Sequence, residues 1–312
     1  MLKESIYYSK ILLFGEYGII QDSMGLSIPY NDYKGKFIFA KDENSNSKKS
    51  NASLKRYLSH LIGLQNENNL PCNLDLIKLS KDIDKGIYFD SSIPQGFGVG
   101  SSGALVAGIY DNYCIDKIDS KSNLKNKEVL ELKTILGRLE SFFHGTSSGL
   151  DPLICYLNLP ILIKSKDEVD TIAIPESSEG KGAIFLLNTG TIGETQPLVQ
   201  HFLERCKEDG FRKMLKNKFK KYNDASIKAF LQKDISPLMQ NVKNLSKVLL
   251  EHFKPMIPKV HQKLWKEGLD SNAYYLKLCG SGGGGFVLGF TEDINKAKLK
   301  LAAYPIDVIY KF

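Results

Sequence analysis

The stretch Pro94-Gln95-Gly96-Phe97-Gly98-Val99-Gly100-Ser101-Ser102-Gly103-Ala104 sets three glycines at alternate positions, adds two serines, and runs straight into the apolar segment Leu105-Val106-Ala107-Gly108-Ile109-Tyr110. Glycine tolerates positive φ and close approach of its backbone to a ligand, so alternating glycines ahead of a helix can aim several peptide N–H groups at one point. The first turn of the helix contributes N–H donors without intrahelical partners and the positive end of its dipole. Together these favour a phosphate group. The plainer alternative is a turn that only joins a strand to a helix.

At 312 residues the chain is long enough for two ordinary domains, and therefore for a cleft. Its composition, 42% hydrophobic and 25% charged, is that of a globular protein. No apolar run approaches the roughly 20 residues of a membrane-spanning helix. The opening Met1-Leu2-Lys3-Glu4-Ser5-Ile6-Tyr7-Tyr8 has neither the apolar core nor the cleavage site of a secretory signal, so a cytoplasmic protein without a membrane partner is expected. The five cysteines, Cys72, Cys114, Cys155, Cys206 and Cys279, are far apart, odd in number and free of any Cys-x-x-Cys pair. They read as buried, reduced thiols. The net charge of +7 suits an anionic small substrate as well as nucleic acid, because the lysines are interspersed with acidic residues. The densest cluster, Lys213, Lys216, Lys218, Lys220 and Lys221, is read as a solvated helix face, and no nucleic-acid partner is expected.

A short apolar strand, Ile11-Leu12-Leu13-Phe14, ends at Gly15-Glu16, and residues 26–39 read as hairpin or sheet. Residues 41–51 have nothing to bury and are expected to form a mobile loop, with Ser53 capping a helix to about Gln65. Leu132, Leu136, Leu139 and Phe143 recur at helical spacing over 128–143. Glu140 stands at the edge of that apolar face, directed toward the protein or a cleft margin, where a carboxylate needs a cation or metal. A half-exposed glutamate in a surface salt bridge is the alternative. The polar, glycine-containing segment within 168–182 marks a domain boundary, which gives domains 1–178 and 179–312. Residues 182–187 form a buried strand, 196–221 and 224–254 are helices, with Pro255 and Pro258 ending the second, and 274–278, 285–290 and 308–310 are strands. The fold class is α+β.

Four elements could carry chemistry: the strand end at Lys10, the glycine-serine loop, the segment Glu140 to Asp151, and Gly280-Ser281-Gly282-Gly283-Gly284-Gly285. Four successive glycines exceed what a hairpin needs and imply close backbone approach, although a loose surface loop would also accept them. No Walker A motif is present, and the glycine-serine loop does not stand where a dinucleotide fingerprint requires. A hydroxyl beside a phosphate cradle can ligate Mg²⁺. Glu140 and Asp151, one on the helix and one beyond the turn, supply two carboxylates; for phosphoryl transfer to an alcohol, one can hold a metal while the other accepts or orients the hydroxyl proton. A Ser-His-Asp hydrolase would use the same residue types, but no nucleophile elbow is read here and His144 lies beside a glycine in a helix-ending loop.

In order and spacing, Lys10-Ile11-Leu12-Leu13-Phe14-Gly15-Glu16-Tyr17, the loop Pro94 to Ala104, and Lys277 to Gly285 resemble the three motifs of the GHMP small-molecule kinases. Residues 140–151 resemble the mevalonate kinase pattern Glu-x-x-x-His-Gly-x-x-Ser-Gly-x-Asp. Tyr17, Gly103 and Ser147 depart from it, standing where those kinases commonly carry histidine, alanine and proline. The resemblance implies a two-domain GHMP kinase fold, with a ribosomal protein S5 domain 2-like N-terminal domain and a ferredoxin-like C-terminal domain. It implies ATP and Mg²⁺ as cofactors and a small hydroxyl compound, mevalonate first, as substrate. By the same resemblance Asp151 is the catalytic carboxylate facing the substrate hydroxyl, and Lys10 lowers that hydroxyl's pKa and stabilises the transferring phosphoryl group. Ser102 and Glu140 hold the metal; Gly96, Gly98, Gly100, Ser101 and Gly103 line the phosphates, supported by Gly282, Gly283 and Gly284. Glu16, Tyr17, His144, Ser148 and Thr195 are the substrate candidates. Another GHMP kinase, acting on phosphomevalonate or a sugar, and a nucleotide-binding regulator without turnover are the rival readings, and a homodimer is the oligomeric state carried forward.

Overall fold

Along Tyr7–Phe14 (β1) one face, Tyr7, Ser9, Ile11 and Leu13, is fully buried while Tyr8 and Leu12 on the other are half-buried, and Gly25–Phe39 (β2) is buried from Gly25 to Ile28. The computed structural model describes residues 5–42, 44–120, 124–165, 167–193 and 195–312, without the side chains of His144 and Thr195. Its contacts divide the chain into two units. Unit 1 takes the chain up to Lys10, Pro29–Pro94 and Gly100–Leu159, and unit 2 takes Ile11–Ile28, Gln95–Val99 and Pro160–Phe312. The chain leaves unit 1 for the last time at 159/160, nearer the N-terminus than the 178/179 division read from the sequence.

Unit 1 pairs the second half of β2 with Ile87–Ser91 (β3), antiparallel, from Gly35 opposite Ser91 to Phe39 opposite Ile87. Its helices are Ser45–Asn66 (α1), Leu76–Asp84 (α2), Ser101–Tyr113 (α3), Asn126–His144 (α4) and Leu150–Leu157 (α5). The expected mobile loop over 41–51 is corrected: α1 begins at Ser45, eight residues before Ser53, because Asn44 accepts from the N–H groups of Asn46 and Ser47 while Ser47 Oγ accepts from Asn44 N. That capping box turns a polar stretch into a first turn. Asp75 likewise caps α2 by accepting from Lys78 N.

In unit 2, Gly25–Ser27 of β2 pair with Ile161–Ser165 (β4), which pairs with Glu168–Thr171 (β5). A second, antiparallel sheet is built from Ala183–Asn188 (β6), Tyr275–Leu278 (β7), Phe286–Thr291 (β8) and Ile306–Lys311 (β9) in the order β7-β8-β6-β9. The helix expected over 196–221 is broken. Thr195–Arg205 (α6) stops where Arg212 donates to the carbonyls of Cys206 and Lys207, and Asp209–Met214 (α7) passes through a π-helical turn, Leu215–Phe219, into Lys220–Leu231 (α8). The helix expected over 224–254 is broken too, by Lys233 at φ 57, before Ile235–His252 (α9). Lys213, Lys216, Lys218 and Lys221 are exposed, as a solvated face requires. Lys259–Ser271 (α10) buries His261, Leu264, Trp265 and Gly268, the spacing of one helical face, and Ile294–Lys300 (α11) precedes β9. Of the cysteines, Cys114, Cys155 and Cys279 are buried, whereas Cys72 and Cys206 are half-buried, which corrects the expectation that all five are interior. Among the described residues no helix is long and apolar enough to cross a membrane.

His261 packs 5.5 Å from the Tyr304 ring, and neither of its ring nitrogens has a hydrogen-bond partner among the described residues. Burial holds its pKa below the ordinary 6.5. The unfolded chain therefore takes up a proton below pH 6.5 that the folded chain resists, and stability falls as the pH drops through that range. His261→Phe should flatten this acid limb. Urea midpoints at pH 5.5 and 7.5 measure it, and an equal pH dependence in both proteins would exclude His261 as its source.

Candidate active site

Each unit gathers part of the predicted site. In unit 1, Lys10 is buried near the middle of β1 and its Nζ lies 2.9 Å from Asp151 Oδ1, whose side chain is 39% exposed. Asp151 stands in the first turn of α5, placed there by Gly149 at φ 74; a Cβ on Gly149 would lie 1.9 Å from Lys133 O. Any other residue would push α5 away from α4. At Gly103 in α3, a Cβ would meet the Asp151 carbonyl carbon at 2.8 Å and Pro152 N at 2.9 Å. Here the departure from alanine has a direct cause: the backbones of α3 and α5 touch where Asp151 sits. Gly100 at φ 84 begins α3 without a side-chain cap.

Glu140 on α4 is 3% exposed, which corrects the alternative of a surface salt bridge. Ser102 Oγ donates to its Oε1 at 2.8 Å and Ser147 Oγ to its Oε2 at 2.5 Å. Its pKa is pushed up to about 7, first by burial and then by the charge of Asp151; the two serine hydrogen bonds and Lys10 oppose the shift. Burial outweighs the pull of Lys10 on this carboxylate. Ser147 is the contact that sequence reasoning missed, although its place in the motif had marked it as a departure. Cys155, behind Lys10, was also missed; its Sγ donates to Gly100 O at 3.8 Å. Ser148 is exposed and accepts from Leu150 N, and the side chain of His144 lies outside the described residues.

Two sequence patterns need correction. Gly145-Thr146-Ser147-Ser148-Gly149 does spell Gly-x-Ser-x-Gly, but it joins two helices and its serine is bonded to Glu140, unlike the strand-to-helix elbow of hydrolases. Gly98-Val99-Gly100-Ser101-Ser102-Gly103 spells Gly-x-Gly-x-x-Gly, but residues 92–97 separate it from β3.

In unit 2, three loops meet through their backbones: Gly193 N donates to Gly96 O at 3.1 Å, Gly285 N to Thr191 O at 2.6 Å, and Phe286 N to Phe97 O at 3.4 Å. The segments around Gly96–Gly98 and Gly282–Gly284 are thus part of one loop cluster. Glu16 is fully buried, its Oε2 accepting from Lys277 Nζ at 2.7 Å and its Oε1 lacking a partner among the described residues. Burial pushes the Glu16 pKa up against the pull of Lys277. Tyr17 is buried between Phe202 and Phe253 and donates to Ser281 O at 2.7 Å. Thr195 opens α6, its side chain outside the described residues.

Residues 65–158 match the family of the GHMP kinases N terminal domain. Among solved structures, the chain is similar to Leishmania major mevalonate kinase in complex with R-mevalonate, at 14% identity and a TM-score of 0.63 over 97% of this chain and 91% of that one. It is similar to Streptococcus pneumoniae phosphomevalonate kinase in complex with phosphomevalonate and AMPPNP, at 15% identity and 0.64 over 98% of both chains. Lactococcus lactis galactokinase complexed with galactose gives 12% and 0.61, over 98% of this chain and 93% of that one. No curated protein matches the sequence. The chain has the two-domain GHMP kinase fold.

The Glu16–Lys277 pair is closed to solvent, so removing one partner strands the other charge. Lys277→Met should lower stability by about 3–5 kcal/mol, and adding Glu16→Leu to it should recover most of the loss. Urea unfolding of the two variants measures this; a single variant as stable as the parent would show that the pair carries no such strain.

Proposed function

We propose that this chain, built on the GHMP kinase fold, transfers the terminal phosphoryl group of ATP to the hydroxyl of a small anionic acceptor, with mevalonate as the acceptor. The observation that carries the reading is the Lys10–Asp151 pair, 2.9 Å apart, against the first turn of α3. A carboxylate with one side open can accept or orient a hydroxyl proton. A buried ammonium beside it favours the alkoxide that forms and stabilises charge on the phosphoryl oxygens. Gly100, Ser101 and Gly103 would bring N–H donors of the helix start to the phosphates, and Gly96, Gly98 and Gly282–Gly284 of unit 2 are retained as phosphate-loop candidates.

The donor set fits Mg²⁺. Glu140, Ser102 and Ser147 offer only carboxylate and hydroxyl oxygens, which suit a hard cation. Glu140 and Ser102 would hold the ion, which supplies charge neutralisation at the phosphates when bound. His144, Ser148 and Thr195 are retained as acceptor contacts. Glu16 and Tyr17, whose polar atoms are engaged inside unit 2, would support those contacts indirectly. The net charge of +7 favours an anionic acceptor over a neutral sugar. The division into domains 1–178 and 179–312, a cytoplasmic location, a homodimer and the absence of a nucleic-acid or membrane partner belong to the same proposal.

Asp151→Asn should keep MgATP affinity and lower kcat by about a hundredfold or more, as loss of a positioned proton acceptor does. Near-normal turnover would make Asp151 structural. In an ADP-release assay over mevalonate, phosphomevalonate and galactose, mevalonate should give the highest kcat/KM. Preference for either of the others would move the acceptor while keeping the kinase reading, and ADP release with none would sink both.

A further inference from the structure

In unit 1 the segment leading into α2 runs alongside the chain that leaves α3. Asp75 N donates to Tyr113 O at 2.8 Å and Ile115 N to Asn73 O at 2.9 Å, which makes Leu74 and Cys114 an isolated antiparallel bridge. Those bonds flank the pair, the arrangement in which opposed residues approach most closely. Cys72 stands two positions before Leu74, in the bend that leads into this bridge. Across this bridge Cys72 and Cys114 come near enough that each thiol is the largest influence on the other's proton affinity. No other two cysteines of the chain are so placed among the described residues.

We propose that Cys72 and Cys114 form a dithiol modification site that a hydroperoxide converts into a disulfide, with Cys114 as the attacking thiol. The surroundings of Cys114 are those of a sulfur prepared to carry negative charge. The Cys72 thiol first, then the Tyr110 hydroxyl and the Asp116 N–H, pull the Cys114 pKa down, while burial and the Asp116 carboxylate oppose them. Tyr110 can give its proton to the sulfur because its oxygen accepts from Ile118 N, at 2.9 Å. The net effect holds the Cys114 pKa below the ordinary thiol value; the nearness of Cys114, together with burial, raises the pKa of Cys72. The thiolate is the nucleophile, so the order of attack follows.

The chemistry closes with a hydroperoxide as the only oxidant. Cys114 sulfur attacks one peroxide oxygen, the O–O bond breaks, and the departing oxygen leaves as water or an alcohol after taking a proton. The sulfenic acid at Cys114 is then attacked by Cys72 sulfur; the S–O bond breaks, and the hydroxyl leaves as water with the Cys72 proton. Two thiols lose two electrons and two hydrogens, and one peroxide is reduced. Cys72 is half-buried and gives the pair its contact with solvent. Cys155 and Cys206 have pKa values raised by burial, which leaves them poorer targets.

The test treats the native full chain with hydrogen peroxide, then alkylates it in denaturant and maps the peptides by mass spectrometry. A peptide pair joined through Cys72 and Cys114, lost on reduction with dithiothreitol, is the expected result. Alkylation of both residues after peroxide, or a disulfide to another cysteine, would overturn the proposal. Dimedone tests the order of attack: Cys72→Ser should leave a trapped sulfenic acid at Cys114, and Cys114→Ser should give about a tenth as much at Cys72 or less. Equal trapping in the two variants would remove Cys114 from the attacking role.

Discussion

A lysine with almost no contact with water has to meet a carboxylate, and in unit 1 that requirement organises everything around it. Leaving an ion of this kind unpaired costs several kcal/mol. Lys10 is 2% exposed and held on a strand, so Asp151 must be brought to it. The tight turn at Gly149 brings it, and the absent side chain at Gly103 lets α3 close over the same place. Helix start, ammonium and carboxylate are therefore fixed together by backbone contact, which is how a site is held to the tolerance chemistry needs.

Glu140 adds a second carboxylate whose charge has no lysine of its own among the contacts that shift it most. Its two serine donors are neutral; burial first and then the charge of Asp151 raise its pKa, while the serine hydrogen bonds and Lys10 lower it. One ammonium thus serves two carboxylates. The arrangement is stable as a protonated or hydrogen-bonded acid, and it is also the electrostatic condition under which a divalent cation would be bound with gain.

Much of this was written in the spacing of residues. Helix α4, strand β6 and the buried side of Glu140 follow from apolar periodicity, and Gly100 with its serines announced the start of α3. What escaped depended on local hydrogen bonds and distant contacts. The polar run before Ser53 became helix through a cap supplied by Asn44, and α10 lay hidden just after Pro258 despite its regular buried face. Glu16 and Tyr17 sit in a motif associated with substrate, yet the residues that occupy their polar atoms, Lys277 and Ser281, are more than 260 positions away. No local pattern contains that information.

The two lysine–carboxylate pairs differ in what solvent can reach. Lys10 and Glu16 lie six positions apart on one stretch of chain, and each ends in an ion pair of similar length, 2.9 Å and 2.7 Å. Their exposure differs. The Asp151 side chain keeps 39% of its surface, while the side chains of Glu16 and Lys277 keep 1% and 0%. A proton acceptor must reach a molecule that arrives from solvent, so only the first pair can exchange a partner during a reaction. The second holds Gly15 to Tyr17 against β7, and an oxygen without a donor among the described residues keeps it costly.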